Sequence, residues 1–378
     1  MTPPAVMSAF HRCPALPRGI VRDGPAFYVL PTGLVAGEVA VAAVASGRAR
    51  PLAGGPLAFT GAGIVWRDGT DARLAVASLT DVERWAAAEP AAASVPGLIE
   101  ACSRPRNPWA GLGLDRPRIM GIVNVTPDSF SDGGRTLAPE AAIAHGLALV
   151  DAGADLVDVG GESTRPGADP VAEDEERARV VPVIAALAAK GVAVSVDTRH
   201  APVMAAALAA GARVINDVAA LGEPGAMDAA AGSDAALCLM HMRGQPATMQ
   251  DAPAYQSAPL DVFDFLSQRV AACRAAGIDA ARIAVDPGIG FGKTDAHNAQ
   301  ILATLPLLHG LGCPILLGAS RKRFIAAFSR GEGPDDRLGG GIAAALAGIE
   351  AGAQIVRVHD VAETVQAARV WRAIRGAS

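Results

Sequence analysis

The chain has 378 residues, 51% hydrophobic and 19% charged, with a net charge of −5 and a pI near 5.8. So much apolar material supplies a large core and excludes global disorder. The acidic balance argues against nucleic acid or an anionic membrane as partner, and the length suits two average domains or one large α/β barrel with an extension.

The first residues carry prolines and an early His11-Arg12 where a secretory signal needs an apolar run. The longest apolar runs are broken by Gly, Asp or Arg, so no membrane span is expected. The cysteines (Cys13, Cys102, Cys238, Cys273 and Cys313) are odd in number and form no CxxC. They read as scattered thiols of a reducing, cytoplasmic setting, not as disulfides or a zinc site.

Residues 1–115 are expected to be an extension of small α+β character ending in a linker. Leu74–Ala77 shows short apolar alternation, and Pro51, Gly54, Gly55 and Pro56 punctuate the chain. Thr80–Ala88 reads as a short helix with Thr80 as N-cap and Glu83 completing a capping box. Pro105–Pro117, with Asn107-Pro108, Gly111 and Gly113, reads as the linker. No chemistry is visible here, and the role of the extension stays open.

From Ile119 a β–α rhythm takes over, and residues 116–378 are expected to form the catalytic domain. Candidate strands are Ile119–Val123, Leu156–Val159, Ala193–Val196, Val214–Ile215, Ala236–Met240, Ile283–Val285, Ile315–Leu317 and Ile355–Val358. Gly153, Gly211 and Gly352 each precede a short apolar run, as glycines that close a helix before a buried strand do. Eight such units over about 260 residues match a (β/α)8 barrel; a doubly wound open sheet is the alternative.

In a barrel the strand C-termini and their loops form the active-site face. They supply Asn124; Asp158 with the loop 160–167; Asp197; Asn216-Asp217; His241-Met-Arg243; Asp286; Ser320-Arg-Lys322; and Arg357-Val-His359. Polar groups at all eight ends are more than folding requires. Asp197, Asn216 and Asp286 suit the donor-rich edge of a flat heterocycle, while Arg165, Lys322, Arg357 and His359 are donors and cations suited to phosphate oxygens. The blander readings are helix caps at Asp197 and Asp286, a turn at Asn216-Asp217, a backbone-bonded His359 and a solvated run at Arg321–Arg323. Gly288–Thr294 looks like a P-loop but has Pro287 where the Walker pattern needs Gly. It reads instead as a Gly-rich loop with Phe291 available to cover a ring. Gly340–Ala353 reads as a tightly packed Ala-rich helix.

Together NVTPDSFSDGG (124–134), DVGGESTRPGA (158–168), SVDTR (195–199), VINDV (214–218), MHMRGQPATMQ (240–250), DPGIGFGKT (286–294), ASRKRFI (319–325) and RVHD (357–360) closely resemble the dihydropteroate synthases of bacterial folate synthesis. The likeness covers about residues 117–375, in family order and spacing. It implies condensation of 6-hydroxymethyl-7,8-dihydropterin pyrophosphate with 4-aminobenzoate, release of pyrophosphate, Mg2+ as cofactor, a homodimer and inhibition by sulfonamides. By the same resemblance, Asn124 ligates Mg2+ on the pyrophosphate, and Arg165, Arg357 and His359 hold its oxygens. Asp197, Asn216, Asp286 and Lys322 bond the pterin edges, with Met240 in that pocket. Thr164, Pro166, Phe291, Ser320 and Lys322 shape the aminobenzoate site, and Asp128 and Phe130 belong to loops that fold over the substrates. Ala319 departs from the family, where Thr is frequent. A cobalamin-linked pterin methyltransferase domain and a pterin-binding paralogue without turnover are the alternatives. The anion-binding residues speak against the first, and the presence of Asn124, Asp128 and Arg165 against the second.

Overall fold

A computed structural model describes residues 7–19, 27–125, 139–163, 170–245 and 248–377. The N-terminal part forms strands β1 (His11–Arg12), β2 (Tyr28–Val35), β3 (Arg50–Pro51), β4 (Ala58–Asp68) and β5 (Asp71–Ser78), with helices α1 (Gly37–Ala45), α2 (Leu79–Ala88) and α3 (Val95–Ser103). The sheet runs β1-β5-β4-β2, with β3 also on β4. Its long hairpin, β4–β5, turns at Asp68–Asp71. The helix start expected at Thr80 lies earlier. Ser78 is the N-cap and its side chain accepts from the Asp81 N–H, while Glu83 pairs with Arg50 at 2.8 Å. The sequence offers two hydroxyl residues two positions apart, and the strand β5 runs right up to the first.

Next come β6 (Arg118–Asn124), α4 (Pro139–Asp151), β7 (Leu156–Gly160), α5 (Glu173–Ala189), β8 (Val194–Asp197), α6 (Ala201–Ala209), β9 (Val214–Asp217) and α7 (Ala226–Ala231). Then β10 (Ala236–Met240), α8 (Ala258–Ala275), β11 (Ile283–Asp286), α9 (Asp295–Ala303), β12 (Leu316–Leu317), α10 (Arg323–Phe328), α11 (Leu338–Glu350), β13 (Ile355–Val358) and α12 (Val361–Gly376) follow. The eight strands β6 to β13 are all parallel, each beside its neighbour in sequence except that β13 also pairs with β6. A single bridge, Val285 to Ile315, joins β11 to β12 and closes the ring. The fold is thus the expected (β/α)8 barrel, and its strands are apolar runs because both faces are buried. Gly153, Gly211 and Gly352 have φ of 104°, 106° and 90°, the left-handed turn expected between helix and strand.

Pro105–Pro117 is more than a linker. Trp109 is fully buried among Met120, Leu156, Val214, Ala236 and Leu316, near the strands' N-terminal ends. Its indole N–H is donated to the carbonyls of Arg282 (3.1 Å) and Leu237 (3.3 Å). The side chain therefore plugs the end of the barrel opposite the strand C-termini. Trp109→Ala should cost about 3–5 kcal/mol of stability, read as a lower denaturant midpoint; a loss under about 1 kcal/mol would deny the plug its weight.

The extension also shares apolar core with the barrel. Tyr28, Leu30, Val65 and Leu74 belong to the same buried cluster as barrel residues, and Tyr28 meets Phe263 edge to face at 5.3 Å.

Candidate active site

Strand register sets the site. Asn124 pairs with Gly160, Gly160 with Asp197, Asp197 with Asn216, and Met240 with Asp286, so strand ends fall at one level around the mouth. At its floor lies a charged cluster that sequence reading only half anticipated. Arg357 donates through Nε to Asp158 at 2.6 Å and through Nη2 to Asp197 at 2.7 Å. Asn216 donates to the same Asp158 oxygen at 2.9 Å. The other Asp158 oxygen, Oδ1, is buried and has no hydrogen-bond partner among the described residues. Two carboxylates thus share one guanidinium, in a place where burial already disfavours charge.

The titration directions follow. Burial lifts the Asp197 carboxyl to about 7, against the pull of Arg357 and with a further push from Asp158. Burial lifts Asp286 to about 6, opposed by the Gly288 N–H, Lys322 and Arg357. Burial works against the Arg357 charge, but Asp158 and Asp197 outweigh it and hold the guanidinium above its ordinary value. The cluster is rich in acceptors and short of donors, which fits a ligand edge made of N–H groups.

Several candidates prove to be partly structural. Asp286 uses one oxygen on the Gly288 N–H at 2.7 Å, as a residue at a turn does, and keeps the second. Asp217 uses both oxygens on the Ala219 and Leu221 N–H groups, each at 2.7 Å, and is a turn residue only. His359 stands 3.1 Å from Ser320 Oγ through Nδ1, and its backbone N–H also reaches that hydroxyl. Burial, then Arg357 and Arg321, lower its pKa to about 3, which favours the neutral imidazole over the cation expected from sequence. Arg357 departs from expectation too, since carboxylates already engage it. Of the basic run, Arg321 is fastened to Asp360 and Asp335 and holds a left-handed φ of 56°. Lys322 lies 4.1 Å over the Phe291 ring, a cation–π contact across the mouth. Met240 and Ser320 are buried. Asp128, Phe130, Thr164, Arg165 and Pro166 lie outside the described residues.

The Gly-rich loop owes its shape to a residue that sequence reading passed over. Lys293 is buried, and its ammonium reaches the carbonyls of Gly288 (2.9 Å), Phe291 (3.0 Å) and His241 (3.2 Å) and Nδ1 of His241 (2.8 Å). A Cβ at Gly288 would come 1.9 Å from the His241 carbonyl, and φ there is +66°. The lysine that suggested a phosphate loop is its internal staple. The signal lay in the pairing of His241 with a Gly-rich segment, which only the fold brings together.

Glu162, Glu176 and His200 have ligand-type atoms within 4.8 Å of one another. Glu162 is already bonded to Arg199 and to the Val171 N–H, and Glu176 to His200 at 2.7 Å. Glu162 is matched by Arg199, while Glu176 keeps a buried oxygen, Oε1, with no hydrogen-bond partner among the described residues. The imidazole in the set and its burial ill suit Mg2+, an ion that prefers a few oxygens plus water and substrate phosphate. The Asn124 amide oxygen at the mouth is a donor of the kind Mg2+ takes.

Residues 120–359 match the family model of pterin binding enzymes. The chain is 50% identical over 269 residues to the dihydropteroate synthase of Neisseria meningitidis serogroup B, which spans 70% of this chain and 94% of that one. The Xanthomonas albilineans dihydropteroate synthase solved with 4-aminobenzoic acid is 54% identical, with a TM-score of 0.67 over 70% of this chain and 95% of that one. The Yersinia pestis enzyme solved with a sulfonamide drug is 48% identical, with a TM-score of 0.67 over 70% and 96%.

Proposed function

Because the chain belongs to the pterin-binding enzymes, among their dihydropteroate synthases, we propose how its own residues divide the work of that reaction. The enzyme joins 6-hydroxymethyl-7,8-dihydropterin pyrophosphate to 4-aminobenzoate, yielding 7,8-dihydropteroate and pyrophosphate. In our reading residues 116–378 are the catalytic barrel and 1–115 the extension, in keeping with a family match that begins at residue 120.

The acceptor-rich floor carries the assignment. Asp197, Asn216 and the second oxygen of Asp286 take the amino-pyrimidinone edge of the pterin, with Met240 against its face and Lys322 at its carbonyl side. The incoming N–H donors relieve the surplus of acceptors around Arg357. Arg357 and a neutral His359, with Arg165, face the pyrophosphate. Thr164, Pro166, Phe291 and Ser320 border the aminobenzoate, and Asp128 and Phe130 close over both.

The C–O bond to pyrophosphate breaks with its electron pair going to the leaving oxygen. The electron-rich dihydropterin carries the resulting methylene cation. The arylamine nitrogen then forms the C–N bond and sheds a proton. No side-chain nucleophile is needed, so the residues position, balance charge and exclude water. Asn124, together with the substrate's phosphates, would hold Mg2+, which would supply further neutralisation of the leaving group. Assembly as a homodimer through barrel helices away from the mouth, and a cytoplasmic place, rest on family likeness. No helix among the described residues is long and apolar enough to cross a membrane.

The deciding measurement is pyrophosphate release by the purified chain with the dihydropterin pyrophosphate and Mg2+. Release that depends on 4-aminobenzoate, and that a sulfonamide suppresses competitively, is the expected result. Pterin binding without release would favour a binding protein.

A further inference from the structure

The β4 end of the extension meets the first turns of α8, on the side of the barrel that carries the strand C-termini. Arg67, at the end of β4, donates Nη2 to Asp261 at 2.9 Å and to Asp264 at 2.7 Å, both on the first turns of α8. Its Nε lies 3.4 Å from the Tyr28 hydroxyl, which itself donates to Asp264 at 2.9 Å. One residue past the hairpin strand, the Gly69 carbonyl accepts the Gln256 side-chain N–H at 2.7 Å. These are charge-assisted, partly shielded bonds, with Arg67 22% and Asp261 21% exposed.

Apolar contacts at Leu30, Val65 and Leu74 already fasten the two parts together. The polar contacts do something else, because they continue into the site. The second Asp261 oxygen accepts the Gln256 backbone N–H at 2.9 Å. The preceding residue, Tyr255, donates its hydroxyl to the Gly292 carbonyl at 2.7 Å, and its ring lies under the Arg243 guanidinium at 5.0 Å. Gly292 directly follows Phe291, the ring beneath Lys322. The line from Arg67 thus runs through Asp261, Gln256 and Tyr255 to the outer side of the Gly-rich loop, whose inner side Lys293 holds.

We propose that the N-terminal extension is a positioning element for the aminobenzoate side of the site, with Arg67 and Tyr28 as positioning residues acting through Tyr255 on the loop of Phe291. This rests on the assignment of Phe291 to the aminobenzoate pocket. Of the pterin floor, Asp158, Asp197, Asn216 and Arg357 on β7, β8, β9 and β13 lie off this line, while Asp286 and Lys322 border the loop, so the constant for the pterin should move less than that for aminobenzoate.

Steady-state kinetics on the full chain test it, with each substrate varied in turn. Arg67→Met should raise the KM for 4-aminobenzoate about three- to tenfold and move the KM for the pterin substrate less than about twofold. Tyr28→Phe, which removes one hydroxyl and keeps the ring, should shift the same constant less, and Arg67→Lys should recover part of the loss. If Arg67→Met fails to fold, Tyr28→Phe decides. Unchanged KM values with a lower melting temperature would mean simple adhesion and overturn the inference, as would equal rises for both substrates. Phe291→Ala separates the causes of failure. If it raises the aminobenzoate KM while Arg67→Met does not, the positioning role is wrong; if neither moves it, the pocket assignment falls and the inference with it.

Discussion

Asp197→Asn is expected to lower kcat/KM about ten- to two-hundredfold, through loss of one charge-assisted bond to the pterin, while leaving a protein that at pH 8 withstands heating at least as well as the original. The reason is the crowding at the barrel floor. Burial lifts the Asp197 carboxyl to about 7, Arg357 pulls it back and Asp158 pushes it up again. A carboxyl whose folded pKa lies above the unfolded value of about 3.9 holds its proton better folded than unfolded. Below about pH 4 it therefore costs the fold nothing; the cost grows between about 4 and 7 and is constant above. An amide escapes it and still offers Arg357 an oxygen. The melting-temperature difference, variant minus original, should accordingly increase from pH 4 to pH 8. A difference that shrinks over that range would show that the carboxylate stabilises the empty site. Activity bought with stability is a common arrangement at binding sites.

Arg357→Ala should be harsher. It leaves Asp197 without its cation and Asp158 with only the Asn216 amide, for a loss of about 3–5 kcal/mol, together with about a hundred- to thousandfold fall in kcat if the guanidinium also steadies the leaving pyrophosphate. Judged by sequence alone, this exchange separates a synthase from a mere pterin binder. The ion pairs remove that clarity, because a binder would also be damaged. Adding Asp158→Asn to Arg357→Ala restores the distinction by deleting one of the two stranded charges. Recovered unfolding free energy with turnover still absent would assign Arg357 to pyrophosphate departure. Turnover returning along with stability would remove that role.

All eight barrel strands were legible because each is a short apolar run buried on both faces, with a polar residue at or shortly past its end. The positions of Asn124, Asp197, Asn216 and Asp286 followed from that rule. What sequence did not disclose are partnerships between distant residues. Arg357 meets Asp158 across 199 positions and Asp197 across 160, and Lys293 meets His241 across 52. A lone Arg or Lys reads as a free cation until the fold supplies its neighbours, so Arg357 looked available and Lys293 resembled part of a phosphate loop. The extension was opaque for the same reason: Arg67 finds Asp261 194 positions away. Trp109, in a Pro- and Gly-rich stretch, carried the pattern of a spacer and the bulk of a plug.

The ring of strands is not uniformly closed. Elsewhere in the barrel neighbours share two or more registered positions, but β11 meets the β12 segment at a single bridge, Val285 with Ile315, where the Val285 N–H reaches the Pro314 carbonyl at 2.9 Å. A hoop with one lightly fastened joint yields there first under strain. The joint separates the strand that bears Asp286 from the one that leads to Ser320 and Lys322. A change in the mouth's circumference at that seam would tear no other ladder, and Lys322 over Phe291 is a side-chain contact that spans it.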